Sequence, residues 1–332
     1  MTPRDMALAA LTSVIWGLAF VFIEFGLESF SAPQLTALRF LIACLPVLFL
    51  PRPPVPWWML ILIGSTLFTG QFLLLFFAYA QGMPPGLASV TQQMQAFFTV
   101  LLAALFLRDV PTRRQSIGLA VAFCGLGLIG LTIGGDLTLL GLGLATAGAF
   151  SWAVGNVLVK RTGEIPMFPF MVWLSVVPPL PALLVSGFYD PNPSLLNAIG
   201  SASWLSIGAA IYLGAIATVL AYAIWGDLLV RYPTAMVAPF ALLAPVTGVV
   251  SSALIFGERF GTTRYGGMAL ILIGLAIAVL PVRRPSFSNR ARHIDASGES
   301  ERGAQYVTGE LLAALGILGR NAHACSIRSS RR

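Results

Sequence analysis

Three glutamines, Gln92, Gln93 and Gln95, crowd into one stretch of an otherwise apolar segment. At about 100° per helical residue they spread over about 160° of the helix, so at least one amide must point inward, away from a nonpolar surround. Gln71 and Asn156 stand at comparable depth in two other apolar runs. A neutral amide donates and accepts, so it can meet both the carboxylate and the ammonium of a zwitterionic or polar solute. Hydrogen bonding between helices is the alternative use of the same groups.

Arg39 lies about one turn inside the second apolar run. A guanidinium at a helix centre costs roughly 2.5–3.5 kcal/mol on insertion scales, so its presence needs a reason. Glu24 ends the first run on the same side, within reach for an ion pair with Arg39. Arg39 is then either a brace between helices or an anion-binding or gating group. Trp16, Trp152 and Tyr222 lie well inside apolar runs rather than at their ends, and suit the walls or gates of a pocket or plain core packing. Asp227 and Arg231 have the i,i+4 spacing of a local salt bridge.

Other chemistries lack their residues. The segment GLGLIG at 125–130 spells GxGxxG, but it sits inside an apolar run with no preceding strand, so close helix packing is the better use of its glycines. The run Ser206, Ala210, Gly214, Thr218 repeats every four residues and makes a smooth face for a neighbouring helix. No GxxxxGK[ST] loop is present, which argues against ATP hydrolysis. His293 and His323 are the only histidines, and Cys44, Cys124 and Cys325 are far apart. No metal, cofactor or catalytic residue is therefore expected, and any active transport must draw on ion or substrate gradients or on a partner.

The elements that must hold these polar groups are membrane helices. The 332 residues are 57% hydrophobic and 10% charged, a balance that a soluble domain of this size cannot bury. The net charge of +7 does not indicate nucleic acid, because residues 1–281 contribute only +2 and the remaining +5 lies in the tail. Apolar runs near the 20 residues needed to cross a bilayer fall at about 6–24, 34–50, 57–80, 86–107, 115–131, 137–159, 167–187, 204–229, 234–256 and 265–281. The first has no cleavage signature and reads as an uncleaved span. Helices are preferred to strands because open strand edges do not survive in lipid. The fold class is thus an all-α membrane protein of ten transmembrane helices.

With the N-terminus in the cytoplasm, Arg4, Arg52, Arg108, Arg113, Arg114, Lys160, Arg161, Arg231, Arg283 and Arg284 fall inside, and only Arg259 and Arg264 flank spans outside. Both ends are then cytoplasmic. The chain also repeats itself. An offset of 136 places Trp16 on Trp152 and Glu24 on Lys160; an offset of 149 places Pro84 on Pro233, Asp109 on Glu258, Gly118 on Gly267 and Gly125 on Gly274. The change of register fits an insertion near 188–203. Residues 6–131 and 137–281 are two five-helix repeats, and an odd helix number turns the second upside down relative to the first. Residues 282–332 form a basic, Arg/Ser-rich tail expected to be cytoplasmic and disordered, with a short apolar segment at 307–319.

The motifs WGLAF at 16–20, LRF at 38–40, QFLLLFFAYAQGMPPGLASV at 71–90, QMQAFFT at 93–99, AFSWAVGN at 149–156, IWGDLLVRY at 224–232, VAPFALLAPVTG at 237–248 and GER at 257–259 occur in order. Through them the chain, over residues 1–281, resembles the EamA family of the drug/metabolite transporter superfamily, and is especially similar to bacterial exporters of cysteine and O-acetylserine. The resemblance implies a ten-helix bundle with an inverted repeat, a central solute pathway, residence in the bacterial inner membrane, and export of amino acids or related metabolites by alternating access. It departs in two places: a basic residue is common where Glu24 stands, and Arg108-Asp109 replaces the first-half GE. The expected partners are a small-molecule metabolite and membrane lipid, and a monomer holds both halves of the pathway. The alternatives are a carrier of another metabolite or drug class, a membrane-embedded enzyme, which would need clustered catalytic side chains, and a non-transporting scaffold.

Overall fold

A computed structural model describes residues 1–280 except 109, 135, 136, 164, 192, 193 and 233. The tail with its 307–319 segment, His293, His323 and Cys325, and Asp109 and Pro233 of the repeat alignment, lie outside the described residues. Within them the chain is all-helical, with one isolated bridge, Gly134 to Leu137, and no strand. Helices α1 (Pro3–Leu27), α2 (Ala32–Phe49), α3 (Trp57–Ala80) and α4 (Pro85–Leu107) are long and apolar enough to cross a membrane. The segment α5 (Arg113–Gly130) is also 18 residues long, but Arg113, Arg114 and Gln115 in its first turn lower its mean hydropathy. Then follow α6 (Leu139–Lys160), α7 (Met167–Tyr189), α8 (Trp204–Arg231), α9 (Ala238–Phe256) and α10 (Thr262–Val279), so that nine helices among the described residues meet the membrane criterion.

Local chemistry sets where these helices start. Ser31 and Thr112 each form a capping box, accepting from the backbone N–H of Gln34 or Gln115 while that glutamine returns a bond to the cap. The outer surface is apolar: Leu48, Phe49, Leu105, Leu131, Phe188 and Leu254 are exposed, as a lipid surround permits and water does not. Phe40, Phe68, Phe76 and Phe97 fill the interior.

Contacts between the two halves come in matched sets. Helix α1 packs on α8 and α9, as α6 packs on α3 and α4, and α5 lies along α10. That last pair is the tightest. A Cβ placed on Gly118 would stand 2.5 Å from the Gly274 carbonyl oxygen, and one on Gly274 would stand 2.5 Å from that of Gly118. Gly125 and Gly267 are related in the same reciprocal way at 2.6 and 2.7 Å. Gly118 meeting Gly274 while Gly125 meets Gly267 means that α5 and α10 run antiparallel. Because Gly118 aligns with Gly267 and Gly125 with Gly274, exchanging the two halves maps this seam onto itself. Within GLGLIG, Gly125 serves this packing, whereas Gly127 and Gly130 meet nothing within 4 Å.

Irregularities also fall at matched positions. Residues 65–70 of α3 and 212–220 of α8 are π-helical. In each, a threonine hydroxyl donates five residues back, Thr69 to Gly64 O at 3.4 Å and Thr218 to Leu213 O at 2.8 Å; the two threonines are mates at the offset of 149. Helix α4 is interrupted at Gln92 and Gln93, where Gln95 N and Ala96 N bond only three residues back, and α9 opens with a 3₁₀ turn at Ala238–Leu242, the aligned stretch. The two fourth helices end alike, on a left-handed residue: Arg108 at φ 55° and Gly257 at φ 66°.

Glycine adopts that conformation freely and arginine does not. Arg108→Gly is therefore expected to raise stability by about 1 kcal/mol, read as a higher midpoint of thermal unfolding of the detergent-solubilised protein. An unchanged or lower midpoint would show that the Arg108 side chain offsets its backbone strain.

Candidate functional site

Arg39 projects from α2 toward α3 and α8 and is 4% exposed. Its Nε donates to Thr218 Oγ1 at 3.2 Å, and its guanidinium carbon lies 3.9 Å from the centre of the Phe72 ring. Gly214 makes this approach possible: a Cβ there would come within 2.7 Å of the Arg39 carbonyl oxygen and 2.6 Å of Ile42 Cβ. The run Ser206, Ala210, Gly214, Thr218 thus does receive its neighbours, with Ser206 also donating to Phe25 O on α1 at 2.7 Å.

Arg39 and Glu24 form no ion pair. No carboxylate among the described residues lies within ion-pair distance of the Arg39 guanidinium. Glu24, half-buried at the end of α1, lies instead in the electrostatic field of Glu258 and Glu28 and near Tyr79. Equal depth brought the pair within reach on paper, but their helices turn the two side chains to different neighbours.

The aromatics gather around Arg39. Tyr222 is within electrostatic reach of it, and its ring centre lies 5.4 Å from that of Trp16 and 6.3 Å from that of Phe68. Trp16 Nε1 donates to Ala217 O at 3.0 Å, a carbonyl offered by the π turn of α8. Trp152 meets Phe72 edge-on, 6.1 Å between centres, from the other half of the chain. Trp16, Trp152 and Tyr222 therefore surround the Arg39–Phe72 stack.

The amides form two further groups. Gln71 Nε2 donates to Gln92 Oε1 at 3.3 Å, and Gln92 Nε2 donates to Ala145 O at 3.0 Å, tying α3, α4 and α6 together. Gln71 Oε1 is buried without a hydrogen-bond partner. Asn156 Nδ2 donates to Gln95 Oε1 at 3.1 Å and to Thr99 Oγ1 at 3.2 Å. Gln93 stays local, donating to Ser89 O one turn back at 3.4 Å. Of the crowded glutamines, Gln92 carries the connection that the sequence left unassigned. Removing it by Gln92→Leu strands the Gln71 amide, and about 1–3 kcal/mol of stability should be lost; a thermal midpoint equal to wild type would mean that Gln71 finds another partner.

Asp227 pairs with Arg231 as their spacing predicts, and Arg231 also meets Asp5 at 2.8 Å while Tyr232 OH donates to Asp5 at 2.6 Å. This network closes one end of the α1–α8 contact and stands apart from Arg39.

A buried cation, inward amides and broken helices in a lipid-facing bundle are parts that a carrier needs, and the sequence profile of the EamA-like transporter family matches this chain twice, over residues 5–131 and 139–280. The chain belongs to the EamA-like transporter family. As an EamA-like protein it is an integral, multi-pass membrane protein of a family of transporters, not enzymes. A protein of Salmonella typhimurium strain LT2 named "Probable amino-acid metabolite efflux pump" is 39% identical over 290 residues, 85% of this chain and 97% of its own. The Escherichia coli K12 protein of the same name is 38% identical over the same shares. A "Probable terminal-alkyne amino-acid exporter" of Streptantibioticus cattleyicolor is 27% identical, covering 80% of this chain and 90% of its own. One crystal structure superimposes with a TM-score of 0.59 at 19% identity, covering 86% of this EamA-like chain and all of the other, a likeness of fold alone.

Proposed function

We propose that this protein is a secondary exporter of amino acids or closely related metabolites, of the cysteine and O-acetylserine kind, working by alternating access in the bacterial inner membrane. Ten membrane helices, α5 included, form two inverted repeats, residues 6–131 and 137–281, with both termini cytoplasmic and the pathway complete in a monomer. One observation carries the reading: a guanidinium buried among α2, α3 and α8 with no carboxylate to neutralise it, a charge that an anionic group of a solute would complete. Arg39 takes the solute's carboxylate, the amides of Gln71, Gln93, Gln95 and Asn156 serve its polar groups, and Trp16, Trp152 and Tyr222 wall or gate the pocket. The names of the Salmonella and Escherichia coli relatives point to the same solutes. The self-matching seam of α5 and α10, and the paired irregularities of α3 with α8 and α4 with α9, support the inversion.

Vesicles carrying the purified protein and loaded with labelled cysteine, O-acetylserine or a wider amino-acid panel, assayed at several pH values, test the solute. Failure of every solute to exchange above protein-free vesicles rejects this substrate class. Topology is tested with Val110→Cys and Arg259→Cys, aligned and exposed positions, in a background without the three native cysteines. They should react with an impermeant thiol reagent from opposite faces of the membrane; reaction from one face overturns the inverted arrangement.

A further inference from the structure

The π turn of α8 has a consequence for Arg39 that the paired turn of α3 does not share. Thr218 and Thr69 are mates in the repeat, and both hydroxyls donate to the carbonyl five residues back. With its proton committed to Leu213 O, the Thr218 oxygen presents its lone pairs outward, and Arg39 Nε donates to them at 3.2 Å. No arginine reaches Thr69 Oγ1. The same local device is thus elaborated in one half only.

Arginine offers a carboxylate two edges, the one made by Nε with a terminal nitrogen and the one made by the two terminal nitrogens. Thr218 occupies the first. The Phe72 ring, at 3.9 Å, covers one face of the guanidinium plane. The two terminal nitrogens have no protein acceptor among the described residues. Nor are they sealed like Gln71 Oε1 and Thr91 Oγ1, the buried polar atoms without partners.

We propose that Thr218 is a positioning residue for solute recognition: its hydroxyl, set by the π turn, holds Arg39 by Nε so that the terminal nitrogens meet the solute's carboxylate end-on. The proposal rests on the exporter reading above, and adds to it which edge of Arg39 binds and which residue aims it. A solute with the carboxylate masked as an amide gains nothing from the arrangement.

The test uses the full chain in vesicles, with L-cysteine and L-cysteinamide as probes, and compares wild type with Thr218→Val, Thr218→Ser and Thr69→Val. Loss of a hydrogen bond to a charged group is expected to raise the KM of Thr218→Val for L-cysteine about tenfold or more, with kcat nearly unchanged. Thr218→Ser restores the wild-type KM. Exchange of L-cysteinamide is the same in all four proteins, and Thr69→Val, which breaks the same local bond, keeps the wild-type KM. If Thr218→Val fails to accumulate in the membrane, Thr218→Ala carries the same comparison. Wild-type exchange with an unchanged KM in the Thr218 variant, or an equal rise in Thr69→Val, overturns the Thr218 assignment alone. Wild-type vesicles that exchange no L-cysteine overturn the cysteine-class reading and the proposal with it.

Discussion

Arg39→Met is expected to abolish most transport while making the solute-free protein more stable. Exchange of a carboxylate-bearing solute below saturation should fall roughly 100-fold or more, the effect of removing one partner of a buried charge pair, which costs about 2–5 kcal/mol. In the free protein the sign reverses. The guanidinium there has one hydroxyl and one aromatic face in place of its hydration, and no carboxylate within reach. Replacing an uncompensated buried ion with an apolar side chain of similar length is expected to add about 1–3 kcal/mol of stability. Opposite signs separate a binding group from a brace. A brace would lose stability and transport together, and that outcome in paired thermal-unfolding and exchange measurements would assign Arg39 to the scaffold.

The second large effect concerns the α5–α10 seam. Gly125→Leu puts a Cβ 2.6 Å from the Gly267 carbonyl oxygen and 2.9 Å from Ile271 N. Both are backbone atoms, so no rotamer change relieves the clash and the helices must move apart. Overpacking of this kind costs about 3 kcal/mol or more and opens the adjacent contact of Gly118 with Gly274 as well. Monodisperse protein should largely disappear from detergent extracts. Gly127→Leu, two residues along the same helix and facing open space, is the control and should be tolerated. Equal yields of the two variants would mean that the seam does not hold the halves together.

Composition, span length and basic flanks made the helices legible, because each depends on residues counted along the chain. Depth was legible too: Arg39, Gln71, Asn156 and the aromatics all lie inside the bundle as their spans require. Facing was not. Glu24 and Arg39 match in depth, yet Glu24 turns toward Glu258 and Tyr79, since depth follows from residue number and facing follows from how neighbouring helices are rotated. The glutamine crowd shows the same limit: one inward amide was required, but that Gln92 makes the bond to Gln71 depends on the break in α4. Thr218 was visible only as a small residue on a packing face. Its mate Thr69 was a usable signal at the offset of 149, but a π turn leaves no mark in residue type that would have aimed the hydroxyl.

A π turn accommodates one residue more than the α turn it replaces. Deleting a residue anywhere in 212–220 would let α8 relax to regular helix and rotate everything after it by about 100°. Tyr222 would swing away from Trp16, and Asp227, Arg231 and Tyr232 would leave Asp5 together. These stretches should therefore accept many changes of letter but none of length, so gaps in alignments with other chains belong in the loops on either side.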